Sequence, residues 1–321
     1  MFRRSFLQRF CLAGLGCLML ATSVHGDPTG QNENNFSHGL GLEPAKPGDY
    51  NRYGSVRLAS RDASELPVRF TLEEYLPPVG NQGKTSSCVG WSTAYYCYSM
   101  TVARARKLDP EQRRDAKFLF SPGFIWDQYN HGDTERGMQI YKAFDVLAKM
   151  GCASLSEYPW KEAAQAWKPT EQAMKKAEFY KAKETLMLFK GANSGEPADP
   201  LTMKKWLFGT KQPIVLAIPV FSDFDSVPSG EDFVYQTSQP ISAMRGLHAV
   251  TIIGYDQSKQ AFLMVNSWTE KWGNKGKLWL SEKFLQDYAF QGCVQSPGGP
   301  RMRGLGLVIL PPAHKVTFRG Q

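Results

Sequence analysis

Residues 81–105 read Asn81-Gln82-Gly83-Lys84-Thr85-Ser86-Ser87-Cys88-Val89-Gly90-Trp91-Ser92-Thr93-Ala94-Tyr95-Tyr96-Cys97-Tyr98-Ser99-Met100-Thr101-Val102-Ala103-Arg104-Ala105. Trp91, Tyr95, Tyr98, Val102 and Ala105 recur at the spacing of one helix face. Ser86-Ser87 offer a cap at its start, basic residues gather at its end, and Pro110 lies beyond it. Cys88 therefore falls in the first turn, where backbone N–H groups lack helical partners and the helix dipole is positive. That position favours a thiolate. A lone cysteine is ordinarily a small buried hydrophobe. This one has Gln82 six residues ahead, whose amide can donate to an oxyanion developing beside the sulfur.

Outward from this helix, the first half of the chain reads as helical. A second helix is expected over about 137–150, with Ile140, Ala143, Phe144 and Leu147 on one face and Gly151 beyond. The stretch from Lys161 to Lys183 reads as an amphipathic helix broken by Pro169. The second half changes character. Residues 213–220, 247–255, 261–268 and 276–280 read as strands, with a turn at 256–260. His248 begins one strand and Asn266 ends the next, so a hairpin brings them together. The amide of Asn266 can then fix the tautomer and tilt of the imidazole. The plain reading of His248 is a satisfied core histidine. His38, His131 and His314 lie in no comparable pattern. A helical lobe followed by a β-rich lobe gives an α+β architecture with a cleft between the two.

Three blocks now carry a resemblance. Asn81-Gln82-Gly83…Ser87-Cys88 resembles the Gln-Gly…Ser-Cys active-site block of the papain family of cysteine peptidases. Leu247-His248-Ala249-Val250…Gly254-Tyr255 is similar to its His-Ala-Val…Gly-Tyr block. Asn266-Ser267-Trp268…Trp272-Gly273…Gly276 is similar to its Asn-Ser-Trp…Trp-Gly…Gly block. Leu66-Pro67, Phe120-Ser121-Pro122 and Tyr158-Pro159 are weaker echoes. The blocks come in the family's order over about residues 66–310.

The resemblance implies the papain-like two-lobe fold, and it implies roles. Cys88 would be the nucleophile, His248 its base in a thiolate–imidazolium pair, and Asn266 the residue that orients the base. Trp268 would shield the His248–Asn266 bond from water. Gln82 and the Cys88 backbone N–H would form the oxyanion hole, and Gly137 would match the glycine whose backbone binds substrate. Peptide hydrolysis through a thioester follows, with peptide or protein substrates and no cofactor or metal. The pattern also departs from the family's. Val89 stands where an aromatic residue is usual, Thr85 replaces a half-cystine, and Thr269 replaces the glycine after Asn-Ser-Trp. His248 and Asn266 also lie farther from Cys88 than usual, which fits an insertion in the Lys-rich 161–212 stretch. Two other readings share part of this logic. One is an enzyme of the same fold that passes the acyl group to an amine or acts on a side-chain amide. The other is a peptide-binding protein whose chemistry has lapsed, against which the intact set Gln82, Cys88, His248 and Asn266 argues.

Composition bounds the rest. The 321 residues are 42% hydrophobic and 21% charged, enough apolar material for a large core and ordinary for a globular protein. The formal charge is +8, but Arg3, Arg4 and Arg9 sit in residues 1–26, which hold no acid, so the remainder carries +5. With no zinc-ligand spacing and no phosphate loop, that balance gives no reason to expect nucleic acid. Residues 1–26 have the basic, apolar and small-residue regions of a signal peptide, with cleavage expected after Gly26. Arg3-Arg4-Ser5-Phe6-Leu7-Gln8 resembles a twin-arginine signal, so export to the periplasm or exterior is expected, with no membrane span in the mature chain. Cys88, Cys97, Cys152 and Cys293 remain in an oxidising compartment; with Cys88 free, at most one disulfide forms. Residues 27–64 show no apolar period and read as a linker or loosely attached arm, 65–310 as the peptidase domain and 311–321 as a tail. No amphipathic helix in 27–64 suits covering a cleft, so an enzyme without a dedicated inhibitory prodomain is expected.

Overall fold

The computed structural model describes residues 38–295, apart from Pro47, Ser60, Arg61, 164–166, Glu184 and 192–193, together with the backbone of 307–310. The expected signal peptide and the 311–321 tail lie outside the described residues. Ten strands form one mixed sheet: β1 (Gly54–Leu58), β2 (Arg69–Thr71), β3 (Thr185–Phe189), β4 (Ile214–Phe221), β5 (Val234–Tyr235), β6 (Met244–Asp256), β7 (Ala261–Val265), β8 (Lys277–Ser281), β9 (Gln291–Gln295) and β10 (Leu307–Leu310). Their order is β10-β1-β3-β9-β4-β6-β7-β8-β5, with β2 paired to β6. The helices are α1 (Cys88–Gly90), α2 (Ser99–Ala105), α3 (Pro122–Asn130), α4 (Ile140–Lys149), α5 (Glu171–Glu178), α6 (Pro200–Thr210) and α7 (Glu282–Tyr288).

Two apolar cores explain the two-lobe arrangement, and strand periodicity explains how they are divided. Along β4, Val215 and Ala217 join the core of the helical lobe, while Leu216 and Ile218 join the core of the β lobe. The helix bearing Cys88 is wedged between them. Cys88, Val89, Ala94, Cys97 and Tyr98 face the first core; Trp91, Tyr95, Tyr96 and Met100 face the second. Every side chain from Val89 to Met100 is buried, the signature of a helix with no solvent face.

That helix runs unbroken from α1 to α2, but Trp91–Tyr98 between them is π-helical. Such i→i+5 stretches are rare and tend to occur at functional sites, because they re-aim every side chain that follows. Ser87 stands at the N-cap but makes no capping bond; its hydroxyl pairs with Thr85 Oγ1 at 2.7 Å instead. The expected strands at 247–255, 261–268 and 276–280 are present as β6, β7 and β8, and the expected 137–150 helix is α4.

Two expectations change. Residues 54–58, read as part of a loose arm, are inserted in the sheet between β3 and β10. Their alternation is only five residues long, too short to stand out from a polar background. Among the described residues, the Lys161–Lys183 stretch is helical only over α5, which starts after Pro169 with Thr170 Oγ1 accepting from the Ala173 N–H at 3.1 Å. The expected insertion in 161–212 contains β3 and α6. β3 is buried on both faces and so shows no period of two. α6 buries Met203, Trp206, Leu207 and Thr210 on a helical repeat.

Candidate active site

The hydrogen-bond network assigns the tautomer of His248. Asn266 Oδ1 accepts from the Ser267 backbone N–H at 2.8 Å, which fixes which end of the amide is oxygen. The same oxygen lies 2.8 Å from His248 Nε2. An amide oxygen only accepts, so Nε2 carries the proton and Nδ1 holds a lone pair. Nδ1 is buried and has no protein partner. His248 is therefore held as a base with its acceptor unspent. It also lies against the Trp268 indole, ring centres 4.9 Å apart.

Cys88 opens α1 with its side chain fully buried. Its sulfur accepts from the Ala249 backbone N–H at 3.4 Å, one residue past His248 on β6. Burial pushes the thiol up to about 12, opposed by the N–H groups of Ala249, Val89 and Cys88 itself. Burial likewise takes His248 down to about 4, against the bond to Asn266, with Arg245 and His38 lowering it further. Burial thus works against charge on both groups. It opposes the thiolate–imidazolium pair expected from the sequence while the cleft is closed to water.

Gln82 is fully buried and oriented from two sides. Its Oε1 accepts from Ser267 Oγ at 2.7 Å, which leaves Nε2 as the donating end. Its backbone N–H donates to Ser267 O at 2.9 Å, and the Thr269 N–H donates to Gly80 O at 3.0 Å, forming a short antiparallel bridge. The segment with the donor amide is thus laced to the segment with the orienting amide.

Residues His38–Glu43 lie across this site as a strap. Gln82 Nε2 donates to the carbonyls of Gly39 (3.0 Å) and Leu40 (3.3 Å), as well as to Thr85 O. The Leu42 N–H donates to Leu247 O. Leu42 forms a parallel bridge with Met138, whose N–H donates to Gly41 O and whose carbonyl accepts from the Glu43 N–H. The His38 ring stacks on Trp268 at 5.0 Å, and its carbonyl accepts from Arg245 Nη2 at 2.7 Å. Arg245 is in turn ion-paired to Asp225. The fit depends on glycine. A Cβ on Gly41, which has φ +119°, would lie 2.1 Å from Ser86 O, and one on Gly137 would lie 1.9 Å from Gly41 O.

The profile of the papain family cysteine proteases matches residues 67–291. The chain belongs to the papain family of cysteine proteases. A peptidase C1-like protein of Acanthamoeba polyphaga mimivirus, uncharacterised, is 23% identical over 225 residues, 68% of each chain. Among solved structures, xylellain, a cysteine protease from Xylella fastidiosa, aligns with TM-score 0.65 and 22% identity over 84% of this chain and 99% of its own. Procathepsin B S9 of Trypanosoma congolense aligns with TM-score 0.60 and 16% identity over 81% and 87%. Procathepsin L 3 from the larval midgut of Tenebrio molitor gives 0.58 and 16%, over 77% of both chains.

Within this papain-family fold, Cys88, His248, Asn266, Gln82 and Trp268 come together at one place, and Gly137 lines the same cleft through its contact with Gly41. Sequence reasoning passed over His38, Gly39 and Gly41, which lie in a segment without periodicity. It gave Tyr96 and Ser267 no role of their own. Among the described residues Cys88, Cys97, Cys152 and Cys293 are buried free thiols, no helix is long and apolar enough to cross a membrane, and no group of metal-binding side chains occurs. Asp232 is exposed and paired with Lys259.

Proposed function

We propose that the protein is an exported cysteine endopeptidase, held latent by its own residues 38–43. The observation that carries this reading is the fixed amide of Asn266, which makes His248 Nδ1 the free base of the imidazole beside Cys88. With the strap displaced, water enters the cleft and the burial penalty on both ions falls. The Cys88 proton passes to His248 Nδ1, and the thiolate attacks the scissile carbonyl. The oxyanion so formed takes hydrogen bonds from Gln82 Nε2, freed of the strap carbonyls, and from the Cys88 backbone N–H. The C–N bond breaks as His248 gives its proton to the leaving amine. Nδ1 then takes a proton from water, the hydroxide attacks the thioester, and the acid leaves as the thiol is re-protonated. Six strap residues seated across the cleft support cleavage within a chain. Export rests on the leader sequence.

The direct test is alkylation by iodoacetamide at pH 5, with the modified cysteine located by mass spectrometry. Gly41→Leu should lift the strap, so Cys88 should label fast in that variant and slowly in the wild type. Cys97, Cys152 and Cys293 should stay unlabelled in both. Slow labelling of Cys88 in a folded Gly41→Leu protein would mean an unactivated thiol, and the lapsed-binder reading would replace this one. Product analysis with an added amine separates hydrolysis from acyl transfer.

A further inference from the structure

The hydroxyl of Tyr96 joins the two segments that carry the active-site amides. It accepts from the Gly80 backbone N–H at 2.9 Å and donates to the Asn266 carbonyl at 2.9 Å. A phenol hydroxyl has one proton to give, so these bonds define its orientation. Gly80 begins the bridge that carries Gln82, and Asn266 begins the turn that carries Ser267 and Trp268. The Asn266 N–H is held by Gly276 O at 2.9 Å. The Asn266 backbone is thereby gripped on both sides of the residue whose side chain orients His248.

We infer that Tyr96 is a positioning residue for the proposed peptidase reaction, setting the place of Asn266 and, through it, the proton-accepting geometry of His248. The inference rests on the peptidase reading above. Three features mark the hydroxyl as more than packing. It is fully buried, so no water stands in for it. It sits in the π-helical stretch, where an altered turn re-aims the side chain. It joins the Gly80 and Asn266 segments, whereas the hydroxyl of its neighbour Tyr95 bonds Pro78 O, at 2.7 Å. Removing the Tyr96 hydroxyl orphans the half-buried Gly80 N–H and the buried Asn266 C=O together, and both segments shift to find partners. A bond of 2.8 Å between His248 and Asn266 does not survive a displacement approaching 1 Å.

Tyr95→Phe is the matched control, since it removes a hydroxyl from the same helix without touching Asn266. The experiment measures the rate of Cys88 alkylation by iodoacetamide from pH 4 to 9 in the full chain carrying Gly41→Leu, alone and with Tyr96→Phe or Tyr95→Phe. Tyr96→Phe should lose reactivity at pH 5 by roughly tenfold or more, its profile moving toward that of an ordinary thiol near ~8.5. Tyr95→Phe should stay within about twofold of its parent. Near-ultraviolet circular dichroism reports whether each variant is folded, and Tyr96→Trp or Tyr96→His replaces Tyr96→Phe if that protein unfolds. Equal profiles for Tyr96→Phe and Tyr95→Phe would reduce Tyr96 to packing and overturn the inference. A Gly41→Leu parent with no reactivity at pH 5 would instead remove the Cys88–His248 pair, and the role of Tyr96 with it.

Discussion

The strap and the Asn266–Trp268 turn both reach Gln82, and they hold it in different ways. The turn does so with a side chain, Ser267 Oγ on Oε1, and with backbone bonds in register. The strap does so with the carbonyls of Gly39 and Leu40 on Nε2. Replacing Ser267 changes the first contact, whereas any residue supplies a carbonyl to the second. What the strap requires is thinness, as at Gly41 and Gly137, together with the His38 stack at one end. The turn thus builds the site from residue identity, and the strap fills it by shape. The strap is also tied in beyond Glu43. Asp49 accepts from Tyr141 OH, Tyr53 OH donates to Asp145, and β1 is paired in the sheet. An occluding segment anchored in this way can lift and return.

The sharpest way to break this contrast is to remove chemistry without removing shape. Cys88→Ala in the Gly41→Leu background should lower peptide turnover by more than about 10³-fold, since no other group supplies the nucleophile. Its melting temperature should change little, because one small buried sulfur is lost. Retained turnover measured with a peptide-library substrate would refute the assignment of Cys88. Next in size is Gln82→Ala in the same background, which should cut kcat by about 10²-fold with a smaller change in KM, the pattern for a donor that acts mainly on the oxyanion. An unchanged kcat would mean that the Cys88 N–H suffices, and that Gln82 serves to hold the strap.

The contrast also explains what was legible in the sequence. Cys88, His248, Asn266 and Gln82 stand in blocks where both residue type and spacing are constrained, and the strands around them alternate or form apolar runs. The strap leaves no such trace, because backbone carbonyls have no letter and two glycines in a polar stretch look like a linker. β3 escaped for a different reason, being buried on both faces. Nothing in the run of Tyr95, Tyr96 and Tyr98 says that one hydroxyl joins the Gly80 and Asn266 segments. The burial that opposes charge on Cys88 and His248 was beyond sequence reasoning altogether.

A smaller effect tests the strap by shape alone. Gly41→Leu should raise the alkylation rate of Cys88 at pH 7 by roughly tenfold or more, since a side chain there collides with backbone and not with a flexible group. The same variant should melt at a lower temperature, because the hydrogen bonds from Leu42 to Leu247 and from Met138 to Gly41 are lost with the strap. Gly48→Ala is a control from the same arm. Gly48 also has a positive φ, but a Cβ there meets only the Asn51 side chain, at 3.9 Å. It should cost some stability through the backbone and leave the labelling rate unchanged.

The smallest expected effect concerns pH and isolates His38. In the seated strap its ring lies against Trp268, and burial lowers its pKa below 6.5, more than Asp225 and Glu162 raise it, with Arg245 adding to the fall. A group whose pKa is depressed when seated binds its proton better when released. The seat is therefore most stable above pH 6.5 and weakens as pH falls through that value. His248 adds little to this slope while the released site holds an ion pair. Its proton then comes from Cys88 and not from solution, so release is neutral in protons. One histidine bounds the gain at about tenfold per pH unit. The ratio of the wild-type alkylation rate to that of Gly41→Leu divides out the reactivity of the pair and leaves the strap equilibrium. That ratio should rise roughly three- to tenfold between pH 7 and pH 5 in the wild type and stay flat in His38→Gln. An equal rise in His38→Gln would move the acid response to another group, with the Arg245–Asp225 pair that holds the His38 carbonyl the next place to look.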